Sequence, residues 1–94
     1  MIIGLCTIEI FIPGAASLKD KRRRLKPLLH QLRRRFEVAA AEVEHQDVWQ
    51  SAVVAVVTVA NEADHVYAVL DHAVRWVDEN YRDVDVVDWQ VELI

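Results

Sequence analysis

The sequence has one cysteine, Cys6, which excludes an internal disulfide and sits in an apolar run as a small hydrophobe would. Long apolar runs are missing as well. The longest, Ala52 to Val57, falls far short of the roughly 20 residues that a membrane-spanning helix needs. Met1 leads straight into strand-like sequence, without a basic, cleavable leader. His65 and His72 lie too far apart for an i,i+4 metal pair, so neither a metal nor a cofactor is expected. No linker, repeat or low-complexity tract divides the chain. These absences predict one soluble, cytoplasmic domain over residues 1–94 with no membrane association.

What is present is a divided charge. The formal net charge is −4, yet residues 19–35 hold nine cations against Asp20 alone, while the rest of the chain holds Arg75 and Arg82 against fourteen acids. At 53% hydrophobic and 28% charged residues the chain has enough apolar mass for a single core.

Residues 2–11, IIGLCTIEIF, alternate as a strand does, and Pro13 and Gly14 break the pattern. Ser17 is a good N-cap, with Asp20 in the first turn of the helix it opens. Leu18, Leu25, Leu28, Leu29, Leu32 and Phe36 fall on one arc at helical spacing, predicting a helix over 18–35. Pro27 projects opposite that arc, so the helix is expected to bend rather than break. Residues 37–44 and 52–60 read as two strands, joined by a link too short for a crossover helix, hence an antiparallel hairpin. Asn61 and Asp64 open a second helix with the stripe Val66, Val69, Leu70, Ala73 and Val77, and Asn80 ends it. The closing strand places Val87, Trp89, Val91 and Leu93 on one face and Asp88, Gln90 and Glu92 on the other. The order βαββαβ predicts an α+β, ferredoxin-like domain: a four-stranded antiparallel sheet, strands 1 and 3 central, two helices on one face.

Around the first helix, Lys19, Arg23, Lys26, His30, Arg33 and Arg34 form an outer stripe with Arg22 at its border, while Lys21, Arg24 and Arg35 flank the leucine face on its other side. Cations at this spacing can neutralise successive phosphates of a nucleic-acid backbone. Ordinary solvated helix faces mix signs, so a run of one sign points to a polyanionic partner, RNA being the expected one; docking onto an acidic protein is the alternative. The open sheet face does not suit RNA: Glu9, Glu42, Glu44, Asp88 and Glu92 are expected there, without the aromatic pattern that stacks bases. Its apolar third strand instead predicts a homo-oligomer, such as a dimer through that face.

The stretches SLKDKRRRLKPLLHQLRRRF, VAAAEVEHQDVWQSA and VAN resemble the YlxP-like family of small bacterial proteins, also called DUF503, over nearly the whole chain. The resemblance implies a ferredoxin-like fold without an established activity, some members being encoded beside translation and ribosome-maturation factors. HQDVWQ supplies His45, Asp47, Trp49 and Gln50 as contact candidates in the hairpin link. His45 and Asp47 are also a possible base and orienter, but no nucleophile lies alongside; a structural reading has Trp49 anchoring the loop and His45 and Asp47 capping its backbone. An acylphosphatase-like anion loop would fall on IPGAASLKDKR, which lacks that family's Gly- and Arg-containing pattern, although the helix start itself offers N–H groups to an anion. No catalytic constellation is visible, and a non-enzymatic protein is expected.

Overall fold

The computed structural model describes residues 1–94. Its elements are β1 (Ile2–Phe11), α1 (Leu18–Phe36), β2 (Ala39–Glu44), β3 (Ser51–Ala60), α2 (Ala63–Asn80) and β4 (Asp85–Leu93). The strands form one sheet in the order β2-β3-β1-β4, every pair antiparallel, which is the ferredoxin-like arrangement expected from the element order. No helix is long and apolar enough to cross a membrane.

Strand alternation and helical spacing converge on one core. Cys6, Ile8 and Ile10 of β1 lie opposite Val56, Val54 and Ala52 of β3, and all six are buried. Against this face α1 sets Leu25, Leu28 and Leu32, and α2 sets Val66, Leu70, Ala73, Val74 and Val77. Each large aliphatic side chain withdrawn from water contributes about 1.5–3 kcal/mol. Burial also pushes the Cys6 thiol up to about 11, leaving it protonated at neutral pH. Gly4 matters for spacing: a Cβ there would lie 2.2 Å from Val66 Cγ1, so the bare backbone is what lets α2 approach β1. At the far end of the core, the Trp76 ring packs edge-on against Phe36 at 6.0 Å and Tyr81 at 5.2 Å.

The helix over α1 runs unbroken through Pro27, which is exposed as its position opposite the leucines requires. Ser17 Oγ accepts from the Asp20 N–H at 3.0 Å, the predicted cap. Leu29 is half-buried rather than central. Elsewhere the structure corrects the sequence reading. The second strand begins two residues late, because Glu37 takes a left-handed conformation (φ 53°) and closes α1 instead. The N-cap of α2 is Glu62, not Asn61, and no side chain caps that end. Val87, expected inward, is exposed: the pairing of β1 with β4 slips between Glu9–Asp88 and Ile10–Val86, and Val87 is the extra residue.

Candidate nucleic-acid interface

The basic stretch divides into cations that work inside the fold and cations that do not. Lys21 is the extreme case. The sequence places it on a flank of the leucine face, yet at 1% exposure it is part of the buried row with Leu25, Leu28 and Leu32. Its Nζ donates to the backbone carbonyls of His45 at 2.6 Å and Val48 at 2.7 Å, and lies 2.6 Å from Glu42 Oε2. That carboxylate oxygen makes an ion pair without hydrogen-bond alignment and has no other partner. Glu42 was expected on the open face. Its pairing with buried Val54 turns it to the helix side, where Lys21 compensates its charge.

Three arginines are also engaged. Arg24 donates to the Pro13 carbonyl at 2.7 Å and reaches Asp20 at 3.4 Å, holding the β1–α1 loop. Arg33 donates from both Nε and Nη2 to the Ala40 carbonyl of β2, at 3.0 and 2.6 Å. Arg35 lies over the Trp76 ring, 5.4 Å from its centroid. Arg23 pairs with Asp20 at 2.5 Å while remaining 75% exposed. The Arg23 hydrogen bond, followed by the Ala16 N–H, holds the Asp20 carboxyl below the usual carboxylate range.

Lys19, Arg22, Lys26 and Arg34 form no ion pair and no side-chain hydrogen bond, and all four are exposed, as is His30. Lys19, Arg22, Arg23 and Lys26 together line a shallow hollow of about 480 Å³ with no acidic residue in it. A hollow on the other flank of α1, about 400 Å³, is lined by Arg23, Arg24, Pro27, Tyr81 and Asp83, and so mixes its signs. Of the predicted stripe, the structure therefore brings four residues together on one concave surface, sets Arg34 and His30 further along the same helix, and ties Arg33 to the backbone of β2.

The HQDVWQ loop is fixed by different atoms than expected. Lys21 supplies two of its ties, Gln50 Nε2 donates to the Ala15 carbonyl at 3.4 Å, and the Ile12 N–H donates to the Gln50 carbonyl at 2.9 Å. His45 adopts φ 62° and its Nδ1 meets Ser51 Oγ at 2.9 Å. Asp47 makes no side-chain hydrogen bond and does not meet the His45 ring, so the two neither cap the backbone nor form a base–orienter pair. Trp49 anchors nothing: it is 51% exposed on a loop held by Lys21. Sequence reasoning missed Lys21 because a lysine amid arginines carries no sign of burial, although its spacing from Leu25, Leu28 and Leu32 does.

The helix start offers little to an anion. Asp20 Oδ2 accepts from the Ala16 N–H at 3.3 Å and Ser17 Oγ takes the Asp20 N–H, so an internal carboxylate and hydroxyl already use these donors.

The chain is similar to the Bacillus subtilis (strain 168) protein described as "Uncharacterized protein YlxP", with 29% identity over 91 residues that span 94% of this chain and 99% of the relative. The family described as "Protein of unknown function (DUF503)" matches residues 3–91, which take in the whole of the basic helix and the hairpin loop and nearly all of the sheet. The protein belongs to the DUF503 family.

Proposed function

We propose that the protein is a non-enzymatic RNA-binding factor of the cytoplasm, accessory to translation or ribosome maturation, whose α1 holds a phosphate backbone. The observation that carries this reading is the acid-free hollow lined by Lys19, Arg22, Arg23 and Lys26, three of which have no partner within the protein. Like charges crowded on one helix repel each other; the phosphates of a bound polyanion neutralise them, and the counterions released from the polyanion favour binding further. Arg34 and His30 extend the surface along the helix. The contacts are to phosphate, so binding carries little base specificity from α1 itself. The ribosomal setting is the one that the resemblance to YlxP-like proteins implies.

The test is filter binding of ribosomal RNA fragments, with heparin as a second polyanion, to the wild type and to an Arg22→Glu, Lys26→Glu, Arg34→Glu variant. The expected outcome is binding by the wild type and none by the variant, with circular dichroism and thermal unfolding unchanged because all three side chains are exposed. An acidic protein partner would instead give negligible RNA affinity at physiological salt and a specific protein complex lost in the same variant.

A further inference from the structure

The two edges of the sheet are finished differently. On β2, Nε and Nη2 of Arg33 both donate to the Ala40 carbonyl, so a side chain of α1 covers that edge. The other edge strand, β4, pairs with β1 alone. Ile94 donates its N–H to the Ile3 carbonyl of β1. Bonding directions alternate along an antiparallel strand, so Glu92 and Gln90 also face β1, while Leu93, Val91 and Trp89 turn their N–H and C=O groups outward. The Trp89 N–H agrees with this, since it donates to the carboxylate of its neighbour Asp88 at 2.8 Å. Exposed strand edges are usually blocked by lysine, proline or a bulge. Strand β4 has no lysine and no proline, and its one slip, at Val87, lies before this stretch.

Beside the open edge lies a groove. Trp89 and Val91 pair with buried Ile8 and Cys6, so their side chains point to the helix side of the sheet. With Asp64, Tyr67, Ala68 and Asp71 of α2 they line a hollow of about 620 Å³. A second hollow, about 350 Å³, shares Asp71 and Trp89 and carries on between Asp78 and Val86. The two make one groove along β4, with the rings of Tyr67 and Trp89 exposed in it. Its charge is acidic: Asp64, Asp71, Asp78 and Asp88 stand against Arg75, which is itself paired with Asp71. The three aspartates of α2 are spaced by seven residues, close to two helical turns, so they share one side of the helix.

We propose that this groove takes an extended, basic segment of another protein, which joins the sheet as a fifth strand beside β4. The outward N–H and C=O groups of Trp89, Val91 and Leu93 supply the pairing, and the flanking side chains supply the selection. In such a strand alternate side chains fall on opposite faces. One set lies over Trp89 and Val91, between Tyr67 and the aspartates of α2; the other lies beside Asp88, Gln90 and Glu92 on the open face. Carboxylates border both sets, so lysine and arginine are favoured among the partner's side chains. A nucleic acid is repelled by the same carboxylates, and a second copy of β4 would bring its own Asp88 and Glu92 to the seam. The regular stretch Asp88–Leu93, at about 3.3 Å per residue, matches about six residues of the partner. The proposal does not rest on the RNA reading, since no residue of α1 lines the groove.

The experiment is fluorescence anisotropy of a labelled octapeptide alternating lysine and valine, titrated with the full chain up to about 1 mM, a range that covers the weak affinity of so short a segment. Saturable binding is expected, and none by the same peptide with glutamate in place of lysine. Two adjacent prolines at the peptide's centre, one of which falls on a bonding position in any register, should abolish binding. Asp64→Lys combined with Glu92→Lys, both exposed, should weaken it at least about tenfold with circular dichroism unchanged. Arg22→Glu on α1 should leave it within about twofold. Amide exchange at Val91 and Leu93 should slow when the peptide is bound. Absence of binding at the highest concentration, indifference to the double substitution, or equal binding of the proline-containing peptide overturns the proposal. So does a chain that sediments at twice 10.8 kDa without peptide and already protects those two amides, because a second copy would then close β4.

Discussion

The two helices do the same work inward and different work outward. Both lie on one face of the sheet, and each buries an aliphatic row against it: Leu25, Leu28 and Leu32 from α1, Val66, Leu70, Ala73 and Val77 from α2. Outward, α2 mixes Asp64, His65, Asp71, His72, Arg75 and Asp78, and links Arg75 to Asp71 at 3.1 Å, as a solvated face does. On the outer side of α1, Arg23 pairs with Asp20, but Lys19, Arg22, Lys26 and Arg34 find no counter-charge. The comparison teaches that both helices are held to the sheet by their buried rows, whereas the unpaired cations outside α1 make no contact that ties them to the fold.

The largest effect expected from breaking this contrast lies inside α1 itself. Lys21→Ala should cost about 3–5 kcal/mol in urea unfolding, because it leaves Glu42, 17% exposed, without its counter-charge and two loop carbonyls without their donor. The adjacent Arg22→Ala should change stability by no more than about 0.5 kcal/mol. Similar costs for the two would mean that the cations do not divide into internal and external sets. Leu28→Ala on α1 and Leu70→Ala on α2 should each cost about 2–5 kcal/mol, and half-buried Leu29→Ala distinctly less. A large inequality between the first two would show that one helix dominates the core.

Smaller effects test the helix ends. Ser17→Ala should lower stability by about 1 kcal/mol, while Glu62→Ala, which removes no cap bond, should be close to neutral. The start of α1 should also respond to acid. Because the Asp20 carboxyl is lowered in the folded state, its stabilisation is complete above the ordinary carboxylate range and disappears as pH falls through the lowered value. Amide exchange in strong acid should therefore loosen the first turn of α1 as Asp20 protonates. The smallest change expected is Pro27→Ala, which restores an N–H on the exposed side and should leave thermal stability unchanged or slightly raised. A marked loss would mean that the proline fixes a bend the core requires.

Much of this architecture was legible in the sequence, for a physical reason: leucines at helical spacing and alternating strands have one way to bury their apolar sides together. The Ser17 cap and the exposed Pro27 followed from local chemistry. What was not legible depends on pairing between distant residues. Glu42 reads as an outward residue until its register with Val54 is known, and Val87 reads as inward until the slip at Glu9 is known. The basic stripe was visible as a charge run, but its division was not, because Arg24, Arg33 and Arg35 find their partners on Pro13, Ala40 and Trp76 only once the chain has folded.

The central claim, that the unpartnered cations of α1 hold a phosphate backbone, is tested most directly by the salt dependence of RNA affinity between about 50 and 200 mM. Four contacts, through Lys19, Arg22, Lys26 and Arg34, predict a log–log slope of about −3 on single strands, and Lys26→Ala should flatten it by about 1. Absence of binding at the low-salt end, or a slope unaltered by Lys26→Ala, would contradict the account.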